Sequence, residues 1–148
     1  GNRSILCKPY PAEMKDYLNN QVKFRESFRP FAPAILSEYQ RDFFEINQDS
    51  FHMLIASKVK EDKKGTIPAV VHVDRSARVQ TVNENSNKKF YNLLKEFNNL
   101  TNIPVLLNTS FNVKGQPIVN NPRDAIETFK KTKIDVLSIG NFLLKKKN

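Results

Sequence analysis

Lys23, Arg25 and Arg29 crowd three cations into residues 22–33, a stretch that also holds Phe24, Phe28, Phe31, Pro30 and Pro33. Two unit charges 4 Å apart repel by about 4 kcal/mol at an effective dielectric near 20, and an anionic ligand would remove that cost. The stretch therefore reads as an anion-holding loop whose phenylalanines and prolines anchor its backbone; the alternative is a structural loop with its arginines spread apart. A second group is His72-Val73-Asp74-Arg75-Ser76-Ala77-Arg78-Val79-Gln80, where an arginine carried on a strand is placed more firmly than one on a loop. Arg78 could equally be the partner of a structural carboxylate. A third is Asn108-Thr109-Ser110-Phe111-Asn112, small polar groups just after an apolar run. Open α/β sheets place ligand contacts there, although Asn and Ser also make ordinary turns.

The chemistry open to these residues is electrostatic. Planar guanidinium forks suit phosphate oxygens, and positioning with charge stabilisation can carry phosphoryl and nucleotidyl transfer without a covalent nucleophile. Other chemistries lack their spacing. His52 and His72 lie 20 residues apart with Cys7 distant, which gives no zinc-ligand pattern. Ser110 is not in a Gly-x-Ser-x-Gly elbow, and the four glycines are not clustered into a phosphate loop. Side chains would have to do most of the holding.

The elements that must position these groups can be read from local signals. A strand is expected over residues 3–7, then a short helix with Met14, Tyr17, Leu18 and Val22 at helical spacing and Pro11 near its first turn. Pro30 and Pro33 exclude a helix through the cationic stretch, and Ala34-Ile35-Leu36 reads as a strand leaving it. A helical turn is expected over residues 40–44, a strand over 51–59, a charged loop over 60–66, and extended segments over 67–73 and 77–82. In the second of these, Val79 and Thr81 face one way and Arg78, Gln80 and Val82 the other. Residues 86–100 form the clearest helix, with Phe90, Leu93, Leu94, Phe97 and Leu100 on one face and Asn85 or Ser86 as cap. Residues 103–107 read as a central strand, Asn121-Pro122-Arg123-Asp124 as a capped helix start, and residues 134–144 as one or two strands broken near Gly140. Strands alternate irregularly with helices, so the fold class is α/β or α+β, in one domain over residues 1–148.

A chain of 148 residues buries about 68–70% of its unfolded surface. With 24 Lys+Arg against 15 Asp+Glu the formal net charge is +9, which favours anionic partners without choosing among them. The lysine-rich runs at 58–64, 130–133 and 145–147 read as solvated surface; the arginines, placed beside aromatic, proline or β-branched residues, are more informative. Cys7 is the only cysteine, no apolar run approaches a bilayer span, and no signal peptide opens the chain. A cytoplasmic location is expected. Because Gly1 opens directly onto a strand-like run, the chain reads as a piece of something longer.

Four ordered blocks carry a resemblance over essentially the whole chain. They are Gly1-Asn2-Arg3-Ser4-Ile5-Leu6, Lys23-Phe24-Arg25-Glu26-Ser27-Phe28-Arg29-Pro30-Phe31-Ala32-Pro33, His72 through Val82, and Asn108-Thr109-Ser110-Phe111-Asn112-Val113-Lys114-Gly115-Gln116-Pro117-Ile118-Val119. Together they resemble the C-terminal domain of the O-carbamoyltransferases, which modify nodulation factors, cephem and aminoglycoside antibiotics and other hydroxylated products. The resemblance implies a YrdC-like domain, a twisted mixed sheet with helices packed on it. It further implies the use of carbamoyl phosphate and ATP, with Mg2+, to make carbamoyl adenylate. An N-terminal domain of the actin-like ATPase class, holding a metal ion, would then transfer the carbamoyl group to a hydroxyl. Matched by position, Lys23, Arg29, Arg78 and Ser110 are implied as phosphate and carbamoyl contacts, with Arg25, His72, Asn108 and Asn112 supporting the nucleotide. The chain departs from the family pattern at Cys7-Lys8, at Arg75-Ser76, where Gly-Thr is frequent, and at Ala34, where Ser is common. The family's first block also begins earlier, with Gly-Pro-Arg-Ala-Leu, so a further arginine is implied upstream of Gly1. The competing class is a basic nucleic-acid-binding module, against which the aromatics beside prolines suit burial better than base stacking.

Overall fold

Residues 2–146 are described by a computed structural model. The chain runs through β1 (Ser4–Cys7), α1 (Met14–Tyr17) continuing as a π-helical turn (Leu18–Lys23), β2 (Ala32–Leu36) and α2 (Gln40–Phe43). It goes on through β3 (Ile55–Lys58), β4 (Ser76–Val82), α3 (Lys88–Thr101), β5 (Val105–Ser110), α4 (Pro122–Lys131), β6 (Val136–Ile139) and β7 (Phe142–Lys145). The expected α/β architecture is present. Five strands form one mixed sheet in the order β1-β5-β2-β4-β3, and β6 and β7 pair as a separate hairpin that turns at Gly140, whose φ is +56°.

Alternation along the strands divides the core between the two faces of the sheet. Ile35, Val79, Val105 and Leu107 pack on one face with Leu18 and Val22 from the first helix and Phe129 from α4. Ala34, Leu36, Val82 and Leu106 pack on the other, where Phe90 and Leu94 of α3 cover them. Burying each of those two helix residues is worth roughly 1.5–3 kcal/mol. Local chemistry sets the helix ends. Asn121 accepts from the Asp124 amide at 3.0 Å, with Pro122 as the first helical residue, as its sequence predicts.

Several expectations give way to longer-range contacts. Residues 67–73 form no strand: Pro68–Val70 is a tight helical turn started by the fixed φ of Pro68, with Ile67, Ala69 and Val70 buried, and Val71 leaves it extended. Only Ile55–Lys58 of residues 51–59 is strand. The cap of α3 is Asn87, which accepts from the Phe90 amide at 3.1 Å, while Ser86 is engaged with Asn83. On that helix Leu93 and Leu100 stay exposed, while Phe90, Leu94 and part of Phe97 meet the sheet. Cys7 ends β1 with its thiol pushed up to about 12 by burial. No helix among the described residues is long and apolar enough to cross a membrane.

Candidate functional site

Strand direction decides which distant residues meet. β5 runs antiparallel to both β1 and β2, and β4 runs parallel to β2. The carboxyl end of β5 therefore lies beside the amino ends of β1, β2 and β4. Asn108 and Ser110 accordingly belong to β5 itself and not to a turn after it, with Asn108 opposite Ala32 and Ser110 opposite Ser4. Ala34 pairs with Gln80, and carrying that register two residues back puts Arg78 beside Ala32. Arg78, Ala32 and Asn108 thus form a row across three strands, with two strand spacings, about 9.5 Å, between the outer pair. α3 covers the other end of this face at Leu36, Val82 and Leu106. The row is left uncovered by it.

Lys23 is buried, 3% exposed, at the end of the π-helical turn. Its Nζ donates to Ser110 O and Asn112 O, both at 2.7 Å, and to Asn112 Oδ1 at 2.7 Å, with Ser110 Oγ at 3.3 Å. Burial, with the charge of Arg25 adding, pushes its pKa down to about 8, so at neutral pH it is still an ammonium. Those contacts take up all three of its N–H donors. Ser110 Oγ in turn donates to Asn112 Oδ1 at 2.7 Å. Lys23, Ser110 and Asn112 are one hydrogen-bonded unit that fixes the exit of β5.

The cationic loop is organised around a residue that sequence reasoning missed. Asn19 is fully buried; its Nδ2 donates to Ser27 O at 3.2 Å and Arg29 O at 3.1 Å, and its Oδ1 accepts from Arg25 Nε at 2.7 Å. The Arg25 guanidinium also lies 4.6 Å over the Phe31 ring. Arg25 is therefore turned inward and braces the loop. Glu26 turns instead to Arg29, at 3.3 Å, and to Lys114, at 2.7 Å. Among the described residues no hydrogen bond or ion pair joins Arg29 to Arg78 or Ser110. The phenylalanines do not act together as anchors either, since Phe31 is buried whereas Phe24 is 48% and Phe28 75% exposed. The signal for Asn19 was a polar residue on the apolar face shared by Leu18 and Val22.

The Glu26 pair has a measurable consequence. The Lys114 hydrogen bond, then the backbone and the charges of Lys114 and Arg29, hold its carboxyl down to about 2 from an ordinary 4.5. A depressed carboxyl stabilises the fold above its unfolded value and loses that contribution as pH falls through its native one. Urea midpoints at low salt should therefore fall more between pH 5 and pH 2.5 in the native protein than in Glu26→Gln. Equal falls would show the pair to be energetically silent.

His72 and Arg78 come together at the amino end of β4. His72 Nδ1 lies 3.3 Å from Ser76 Oγ, and its pKa is lowered by burial, with Arg78 and Lys15 pushing the same way against Asp74. Asp74 Oδ1 accepts from the amide and hydroxyl of Ser76, at 3.0 and 2.6 Å, closing the turn before β4. Arg75 holds a left-handed φ of +65° in that turn, which accounts for a glycine being frequent there, and its guanidinium is directed to Glu61 at 3.8 Å. Arg78 itself is exposed and makes no hydrogen bond or ion pair among the described residues. Asn108 Nδ2 donates to Gln80 Oε1 at 2.7 Å, a link that the alternation of β4 hinted at but could not specify.

The larger hollows lie elsewhere. Cavities of about 560, 510, 490, 440 and 210 Å³ are lined by none of Lys23, Arg29, Arg78 or Ser110. The 560 Å³ cavity, between β1, α3 and the hairpin, is walled largely by Ile5, Leu6, Phe90, Leu93 and Val136 and carries Lys89 as its one cation. Anion chemistry points instead to the row of Arg78, Ala32 and Asn108, in which Arg78 is exposed while Ala32 and Asn108 are buried.

The sequence pattern of the family described as carbamoyltransferase C-terminus matches residues 1–146. The chain belongs to this family. Nodulation protein NolNO of Sinorhizobium fredii is 45% identical over 99% of the chain and 22% of its own length. Nodulation protein NolO of Bradyrhizobium diazoefficiens is 45% identical over 99% of the chain and 27% of its own length. An uncharacterized protein of Synechocystis is 42% identical over 99% of the chain and 27% of its own length. The carbamoyltransferase C-terminal chain thus spans about a quarter of the length of these curated relatives.

Proposed function

We propose that this chain is the carbamoyl-activating part of an O-carbamoyltransferase, holding carbamoyl phosphate and ATP so that carbamoyl adenylate forms. Water first cleaves carbamoyl phosphate into carbamate and phosphate; a carbamate oxygen then attacks the α-phosphorus of ATP, and the bond to pyrophosphate breaks as the new one forms. The carbamoyl group then passes to a hydroxyl acceptor on a separate, N-terminal metal-holding domain. The observation that carries the reading is Arg78, an exposed guanidinium on an interior strand with no partner among the described residues. Its fork can pair two oxygens of a transferring phosphoryl group and stabilise the charge that builds there. Lys23 contributes by fixing Ser110 and Asn112, and His72 supports Arg78 from the preceding turn. Arg25 and Arg29 hold the loop that leads into Ala32.

The residues present fit the phosphates better than a bare metal ion. No group of three or more His, Cys, Asp or Glu side chains comes together among the described residues. Mg2+ arriving with ATP would be held mainly by phosphate oxygens, as is usual for this ion, and would neutralise their charge. Isothermal calorimetry of the full chain should show ATP and carbamoyl phosphate binding at millimolar concentration or tighter. Absence of heat for both would sink the reading.

Exposure of Phe24 and Phe28 beside Arg29 favours one alternative, stacking of nucleic-acid bases on a basic surface. Filter binding to single-stranded RNA at two salt concentrations separates the two. Attachment that disappears at physiological salt is the general attraction of a +9 chain, whereas tight binding that survives would favour the alternative.

A further inference from the structure

Gln80 stands between two partners of unequal character. Its Nε2 lies 3.1 Å from Phe51 O, and its Oε1 lies 2.7 Å from Asn108 Nδ2. A peptide carbonyl can only accept, so Phe51 O dictates which end of the Gln80 amide faces it. Oε1 is then the end presented to Asn108, and because Oε1 can only accept, Asn108 must present Nδ2. The orientation of both side-chain amides is therefore set by one main-chain carbonyl.

That carbonyl is itself held. The neighbouring Ser50 is buried, donates through its amide to Thr81 Oγ1 and through its hydroxyl to Val79 O, both at 2.8 Å, and accepts from the Thr81 amide at 3.0 Å. Between Gln80 and Asn108 lies β2, whose inward residues on this face are Ala32 and Ala34. Their methyl groups are low enough for the amide bridge to cross. The consequence is that Asn108 Oδ1 is turned away from Gln80, and it accepts no hydrogen bond among the described residues. It stands in the same row as Arg78, across Ala32.

We infer that the Phe51–Gln80–Asn108 relay turns Asn108 into a dedicated acceptor for the amine end of the carbamoyl group, with Gln80 as the positioning residue. This rests on the function proposed above: a ligand whose phosphate is paired by the exposed Arg78 and whose other end reaches in to the buried Asn108 meets a cation at its phosphate end and an acceptor at its –NH2 end. Acetyl phosphate has the same phosphate and nearly the same shape but carries a methyl group where carbamoyl phosphate carries two N–H donors. A polar pocket rejects an analogue that leaves its buried polar group unpaired. The relay thus supplies selection between acyl phosphates of one size.

The test measures affinity of the full chain for carbamoyl phosphate and for acetyl phosphate in the same buffer. The native protein should prefer carbamoyl phosphate by about tenfold, the worth of one well-placed hydrogen bond. Gln80→Met keeps the length of the side chain but cannot accept from Asn108, and should bring the ratio close to one with acetyl phosphate affinity changed by less than about twofold. Asn108→Leu, which removes the acceptor itself, should do the same. A merely structural role would weaken both ligands alike, and taking the ratio within each protein cancels any shared loss of fold. A native ratio near one, or a tenfold preference kept by Gln80→Met, overturns the inference while the proposed function stands. Failure of the native protein to bind either ligand overturns both.

Discussion

Replacing Lys23 by methionine is expected to lower the melting temperature by about 6–12 °C. Methionine fills nearly the same length, so the loss is polar and not steric. Ser110 O and Asn112 O would each lose an ammonium donor at 2.7 Å in a site where Lys23 is only 3% exposed. A buried acceptor left unmet costs about 1–3 kcal/mol, which gives about 3 kcal/mol for the two. At this chain length each kcal/mol moves the midpoint by about 2–4 °C. Phosphate binding should weaken in the same variant even well below its midpoint, because the exit of β5 would no longer be fixed. A calorimetric midpoint within about 2 °C of the native one would show that water replaces the ammonium without cost, contrary to the buried geometry.

Arg78→Ala should behave in the opposite way. With no partner among the described residues and an exposed side chain, its removal leaves nothing unpaired, and stability should stay within about 0.5 kcal/mol of native. Binding of carbamoyl phosphate or ATP should fall by about 10–100-fold, the worth of a charge-assisted hydrogen bond or fork. Arg78→Lys restores the charge without the planar fork and should recover only part of that loss. Unchanged affinity in Arg78→Ala, measured by calorimetry, would remove this residue from the site and with it the main support for the proposed function.

The contrast between these two residues shows where sequence reading reaches its limit. Both are cations beside β-rich segments, and nothing local says that one is a strut and the other is open. The difference arises from residues 87 and 89 positions away from Lys23, brought close by the antiparallel course of β5. Signals confined to a few residues were legible: Asn121 and Pro122 announce α4, and the β2 and β4 strands stand close to where alternation puts them. Where an apolar run met a competing local constraint the reading failed, as at Pro68, which turns Pro68–Val70 out of an extended course. The four family blocks carried the resemblance through because their residues recur in order, which requires no knowledge of contacts. The inward turn of Arg25, the Arg29–Glu26 pair and the Gln80 relay were invisible, since each depends on a partner chosen by packing.

The state of Cys7 has a practical consequence for following this protein in solution. Thiol-directed dyes react with the thiolate, and a group pushed up to about 12 by burial remains protonated at neutral pH. It is also the only cysteine of the chain. A second thiol introduced at Asn141, in the exposed turn of the β6–β7 hairpin, should take the dye faster than the partly buried Cys7. That hairpin is a sheet separate from the one bearing Arg78 and Asn108, so a fluorophore there would leave the face bearing those two residues unlabelled.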